Sequence, residues 1–175
     1  MTGKRIAKVL GASLLVFALL SPAAAEPVTV KLLHINDFDR IEESKERGGL
    51  ARLMTLVNRE RASAQHAIFT HGGDSISPSL LSGFDKGAHI IDLFNEAELD
   101  IMVLGNHEFD FGADVTRARV SEARFPVLSS NAVYASGTLI EGTLASWTAE
   151  AGPYTLGFIG LTPPETPGLP SAEGI

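Results

Sequence analysis

This 175-residue sequence predicts an α/β fold with a mainly parallel sheet, on three observations. Short β-branched or aliphatic runs alternate with amphipathic helical stretches, the pattern of repeated β-α-β units. The apolar runs give way to Asn, Asp, Gly and His, so polar residues collect at strand ends. After residue 131 the helical spacing stops and glycine-punctuated β-like runs take over, which predicts a second sheet or antiparallel edge strands. The length suits one domain, and 45% hydrophobic residues supply a core.

The chain opens with a stretch outside this fold. Lys4, Arg5 and Lys8 precede an apolar run over residues 9–20, which Ser21-Pro22 breaks before Ala23-Ala24-Ala25. Basic start, short apolar run and small residues form the pattern of an export signal, too short to span a bilayer comfortably. Residues 1–25 are therefore expected to be a signal peptide cleaved after Ala25, leaving 26–175 in the periplasm or outside the cell. The alternative is an uncleaved membrane anchor. No second apolar run is long enough to insert stably once the signal is gone.

The mature elements follow in order. Residues 28–35 read as a buried strand and 36–49 as a charged loop. From Leu50, the residues Leu50, Leu53, Met54 and Val57 make one apolar stripe, while Arg52, Arg59, Glu60 and Arg61 lie off it. Residues 67–70 form a short strand ended by Gly72-Gly73. Residues 89–97 read as a helix with Ile90, Ile91, Leu93 and Phe94 apolar, and 100–104 as a strand stopped by Gly105-Asn106. A polar helix over 113–123 leads to a strand at 125–128. The later β-like runs fall at 138–141, 146–150 and 154–161, before a proline-rich stretch over 162–170.

Composition removes several function classes. The formal charge is −7, or −10 without the three basic residues of the signal. A nucleic-acid polymer is therefore not the expected partner, since phosphate backbones call for clustered Lys and Arg. With no cysteine, disulfides, Cys-ligated zinc and thiol nucleophiles are all excluded. Catalysis then falls to Asp, Glu, His, Ser, Asn or a metal.

In a parallel sheet, ligands bind beyond the carboxyl ends of the strands. Asn36, Asp37 and Asp39 follow the first strand, and His71 and Asp74 the second. Asn106, His107, Glu108 and Asp110 follow the third, and Ser129, Ser130 and Asn131 the fourth. Carboxylates gathered in one crevice repel, and a divalent cation relieves that repulsion. Oxygen donors with imidazole suit Mn, Zn, Fe or Mg. Taken singly, each residue has a plainer role: Asp37 as a turn or cap residue, Gly73-Asp74 as an Asx-turn, Asn106-His107 as a surface turn. His34, inside a buried strand, is read as a satisfied histidine of the core or one standing behind a metal ligand, and His66 and His89 as exposed. The repetition from strand to strand favours a site.

At these residues the chain resembles the metallophosphoesterase (calcineurin-like) superfamily, in its exported 5′-nucleotidase-like branch. The matching segments are Leu33-His34-Ile35-Asn36-Asp37, Gly72-Gly73-Asp74 and Gly105-Asn106-His107-Glu108-Phe109-Asp110. Gly48-Gly49-Leu50-Ala51-Arg52, Ser79-Leu80-Leu81-Ser82-Gly83, Ser130-Asn131-Ala132 and Gly157-Phe158-Ile159-Gly160-Leu161-Thr162 extend the likeness through nearly all of the mature chain. The resemblance implies a two-sheet α/β/β/α sandwich, with residues 26–175 as the N-terminal portion of its catalytic domain. It implies two divalent metal ions: Asp37 on the first, Asp74 bridging both, Asn106 on the second. His107 would be the catalytic histidine, oriented by Asp110, and Asn131 would donate to phosphate oxygens. The implied substrate is a nucleotide or another phosphoester.

The likeness has two departures. Where the family carries a metal-binding histidine two residues after the first Asp, this chain has Asp39. Either the aspartate ligates, making a more anionic site, or a short deletion removed the histidine. The family's downstream metal-binding histidines have no counterpart in these 175 residues, since no histidine follows His107, and the base-holding domain that the resemblance implies is likewise not expected within them. The second metal site is thus expected to be incomplete in this chain. Three readings follow: a 5′-nucleotidase, a cyclic-nucleotide or nucleotide-sugar phosphoesterase, or a truncated or degenerate homologue that binds at most one cation without catalysis.

Overall fold

The computed structural model describes residues 26–43, 45, 47–166 and 172. The expected signal at 1–25 and the end of the proline-rich stretch lie outside the described residues. Four parallel strands, β1 (Val30–Ile35), β2 (His66–His71), β3 (Ile101–Val103) and β4 (Val127–Leu128), form a sheet in the order β1-β2-β3-β4. The helices are α1 (Leu50–Ala62), the single turn α2 (Ser82–Asp85), α3 (Ala88–Glu96) and α4 (Ala113–Glu122). A two-stranded antiparallel sheet, β5 (Ser146–Ala151) with β6 (Tyr154–Ile159), completes the described elements.

Pleat alternation assigns the two faces of the parallel sheet. Leu33, Ile35, Phe69, Met102 and Val127 turn toward the helices and join Val57, Ile90, Phe94 and Val120 in one core. Phe69, Phe94 and Phe109 are wholly buried there, each contributing roughly 2–3 kcal/mol of apolar transfer. The amphipathic stripes place α1, α3 and α4 on this face, and Arg61 near the end of α1 reaches the Ala97 carbonyl (3.1 Å) and Asp100 (3.5 Å).

Hairpin β5–β6 lies on the opposite face. Its Gly152 turn sits against Val28, and Gly160 packs so closely on Val103 and Leu128 that a β-carbon would overlap both. Trp147 and Phe158 pair across the hairpin at 5.6 Å. Helices, parallel sheet and hairpin sheet therefore make three layers; among the described residues no helix covers the outer side of the hairpin. A cleft of about 250 Å³ remains between the sheets, bordered by Leu32, His34, Thr70, Val103 and Phe158.

The structure corrects several local expectations. His34 is exposed, not buried, because β1 is an edge strand and the hairpin leaves its outer face bare; its Nδ1 meets Thr70 Oγ1 at 2.8 Å. His66 and His89 are half-buried rather than exposed, and His89 is held by Asp85 at 2.9 Å. Residues 138–141 form no strand. Leu139 makes a single antiparallel bridge to Val133, while Ile140 plugs into the core. None of the described helices is long and apolar enough to cross a membrane.

Candidate active site

The ends of β1 and β2 stay zipped beyond the strands. Gly72 N–H donates to Ile35 O (2.8 Å) and Asp37 N–H to Gly73 O (3.0 Å), which brings the first two polar loops side by side. Asp37 and Asp74 both take left-handed backbone, at φ 54 and 64. Aspartate tolerates this conformation better than most side chains, and here it turns the chain sharply at each strand end. The Asn36 amide donates to Asp37 Oδ2.

Asp74 is held from β3. Its Oδ1 accepts His107 N–H at 2.9 Å, so a carboxylate of the second loop is fixed by the backbone of the third. The loops touch without a gap: a β-carbon on Gly105 would overlap Asp74 Oδ1, and one on Gly73 would overlap the Gly105 backbone. Asn106 opens the 3₁₀ turn His107–Phe109, its carbonyl accepting Phe109 N–H at 3.2 Å. One turn on, His107 Nδ1 meets Asp110 Oδ2 at 2.7 Å, with both side chains part-exposed. The Asp110 carboxylate holds the His107 imidazole above its ordinary range, against a smaller opposing effect of burial. With Nδ1 engaged, Nε2 is the ring atom left to face a substrate.

Glu108 received no role from the sequence, yet it anchors this region. It is 2% exposed, and both carboxylate oxygens accept bonds from the loops that flank it. Oε2 takes Asp74 N–H (2.8 Å) and Gly105 N–H (2.7 Å). Oε1 takes Ser75 N–H (2.7 Å) and Ser75 Oγ (3.0 Å). Burial pushes the Glu108 carboxyl up, while the backbone donors of Asp74, Ser75 and Gly105 oppose the shift. His71 was placed at the strand end without a function and is also buried. Its ring packs on Phe94 at 4.8 Å, its Nδ1 accepts Gly73 N–H at 3.0 Å, and burial lowers its pKa to about 3.

The remaining candidates stand apart. Asp39 lies 3.7 Å from Arg40 on a cleft shared with Ser79, Leu81 and His89. Asn131 is exposed, and its amide is spent on Thr162, donating to the carbonyl and accepting the N–H, both at 2.8 Å. Asp37, Asp74 and Asn106 offer hard oxygen donors, a chemistry that fits a divalent cation. Among the described residues, however, no three Asp, Glu or His side chains converge as a cation would require. The donor type fits, and the ligand set is partial.

Comparison with known proteins matches this architecture. The chain is 34% identical over 169 residues to 5′-nucleotidase from Bos taurus, covering 87% of this chain and 29% of that protein. The crystal structure of the 5′-nucleotidase precursor from Thermus thermophilus superposes with a TM-score of 0.69 at 30% identity, over 77% of this chain and 29% of the other. The NAD nucleotidase of Haemophilus influenzae shares the fold, with a TM-score of 0.70 at 24% identity over 78% of this chain and 27% of that one. The chain thus spans less than a third of the length of these relatives. Residues 30–161 match the calcineurin-like phosphoesterase family, from the first strand to just past the hairpin, and the chain belongs to that family.

Proposed function

We propose that residues 26–175 are part of the catalytic domain of an exported 5′-nucleotidase, with residues 1–25 as its cleaved signal. The observation that carries this reading is the His107–Asp110 pair, set on the same turn whose backbone holds Asp74. A proton donor and a cation ligand are thereby linked through one short rigid segment.

Asp37, Asp74 and Asn106 would hold the cations, with Asp39 as a further oxygen donor. Bound divalent ions of this kind polarise a phosphoester and activate water for in-line attack. Asp110 keeps the His107 ring oriented with Nε2 outward, toward the phosphoryl group or the leaving alkoxide. A proton carried at Nε2 then passes to the departing nucleoside oxygen. Asn131 would approach a phosphate oxygen only by its remaining amide hydrogen, as Thr162 occupies the other and the carbonyl.

The test is hydrolysis of a nucleoside 5′-monophosphate alongside cation binding. His107→Ala or His107→Asn should lower turnover by about 10²–10⁴-fold and leave cation affinity within a few-fold. Unchanged turnover would reject the role of His107. The partial ligand set favours a second reading, a homologue that binds at most one cation and does not hydrolyse. One equivalent of metal per chain with no phosphate release would establish that alternative.

A further inference from the structure

We propose that Glu108 is a positioning residue: its carboxylate fixes the Asp74 loop against the Gly105–Asn106 loop, and so sets the strength of cation binding without touching a cation. The inference rests on the reading of Asp74 and Asn106 as ligands. Every side-chain partner of Glu108 is a donor: Asp74 N–H and Gly105 N–H on one oxygen, Ser75 N–H, Ser75 Oγ and, at 3.4 Å, Ile76 N–H on the other. Four of these donors belong to the loop after β2 and one to the loop after β3, so the carboxylate is the clasp between them.

Geometry demands two acceptor atoms at this position. A glutamine supplies one, and its NH₂ would confront either the Asp74 and Gly105 donors or the Ser75 and Ile76 donors. An unmade bond in a buried site leaves its partner unsatisfied, and bonds to a carboxylate are stronger than neutral ones. Water is a poor substitute, because the small void beside Glu108 is lined mainly by apolar side chains, among them Ile76, Met102, Leu104 and Val120, and offers a water few polar partners. Asp74 cannot hold its place by local preference alone, since its φ is 64 and Gly105 leaves it no spare room. Loss of the clasp therefore lets the Asp74 carboxylate and the Asn106 amide drift apart.

The experiment is Mn²⁺ titration of the full chain, with amide hydrogen exchange at Asp74, Ser75 and Gly105 measured in the metal-free protein. Glu108→Gln should weaken Mn²⁺ binding by about 10- to 100-fold, the usual effect of losing a partner that orients a ligand. Exchange at Asp74 and Gly105 should quicken in the same variant. Thr116→Val is the control for simple destabilisation. Thr116 Oγ1 donates to the Glu108 main-chain carbonyl at 2.6 Å, so its loss loosens the same turn but spares the carboxylate. That variant should melt lower and keep Mn²⁺ affinity within about twofold of the parent.

Should Glu108→Gln not fold, Ser75→Ala decides the matter by removing only the Oγ bond. It should quicken exchange at Asp74 and weaken Mn²⁺ binding by a few-fold; faster exchange at unchanged affinity overturns the proposal. Asp74→Asn separates the two claims. Strong loss in Asp74→Asn with parental affinity in Glu108→Gln overturns positioning alone. Parental affinity in Asp74→Asn overturns the ligand assignment, and positioning with it.

Discussion

Among the described residues between Asp37 and Gly49, the chain is tied by Asp37 N–H on Gly73 O, Leu50 N–H on Ile41 O, Phe38 over Phe94 at 6.0 Å, Ile41 against the core, and an exposed Arg52–Glu43 pair at 3.0 Å. A surface pair of this kind adds about 1 kcal/mol at most. From Gly73 to Ile76 and at Gly105, by contrast, every backbone donor meets a buried acceptor, chiefly Glu108, and His107 N–H meets Asp74 Oδ1. Both regions carry candidate cation ligands. One half of the candidate centre is thus held in place by buried hydrogen bonds, and the other lies on a charged loop. Affinity should be governed mainly by the rigid half, and adaptation to a different metal by the loose half.

The sharpest way to break this contrast is to place a methyl group in each half. Gly105→Ala forces a β-carbon into Asp74 and should cost about 3 kcal/mol or more, read as a lower urea midpoint. Gly48→Ala meets nothing within 4 Å, and its φ of 67 is the sole obstacle. About 1 kcal/mol is expected there. Equal costs at the two positions would abolish the distinction.

Between these two effects comes the pH response of the rigid half. Burial holds the His71 pKa at about 3, so the folded chain keeps the ring neutral. An unfolded histidine titrates near 6.5. Above pH 6.5 both states are neutral and the ring adds no pH dependence. As pH falls from 6.5 toward 3 the unfolded chain takes up a proton that the folded chain refuses, and stability drops. From pH 7 to pH 5 the loss should be about 2 kcal/mol, seen by urea denaturation at the two values. His71→Gln should remove that increment; its persistence would show that another group carries it.

The smallest effect belongs to the loose half. Asp39→His restores the donor that the family resemblance leads one to expect, and should raise Zn²⁺ affinity by a few-fold in a direct titration. A gain of a hundredfold would mean that the loop is already as well ordered as the β2–β3 side.

Much of this architecture was legible in the chain. The β-branched runs marked β1 and β2, and the stripe from Leu50 to Val57 marked α1, because burial on one face leaves a period that side chains cannot hide. Asp37, Asp74 and His107–Asp110 stood out because their residue types recur at strand ends. What stayed hidden depended on neighbours distant in sequence. His34 reads as core by its flanks, and only the placement of β5–β6 decides which outer positions are covered. Residues 138–141 look like a strand, but among the described residues they pair only through the single Leu139–Val133 bridge. Glu108 looks like any acidic residue in a polar turn; its part emerges only when Ser75, 33 residues earlier, is brought against it.

The left-handed backbone at Asp37 and Asp74 has an evolutionary consequence. Asn is the residue that best shares aspartate's shape and its tolerance of positive φ. Exchange of Asp for Asn at these turns would erase a negative charge while every bend in the chain survived. Under the proposed roles of Asp37 and Asp74, a descendant would lose cation binding in a single step while its turns stayed intact. Under the same roles, these two positions would separate cation-binding members of the lineage from silent ones.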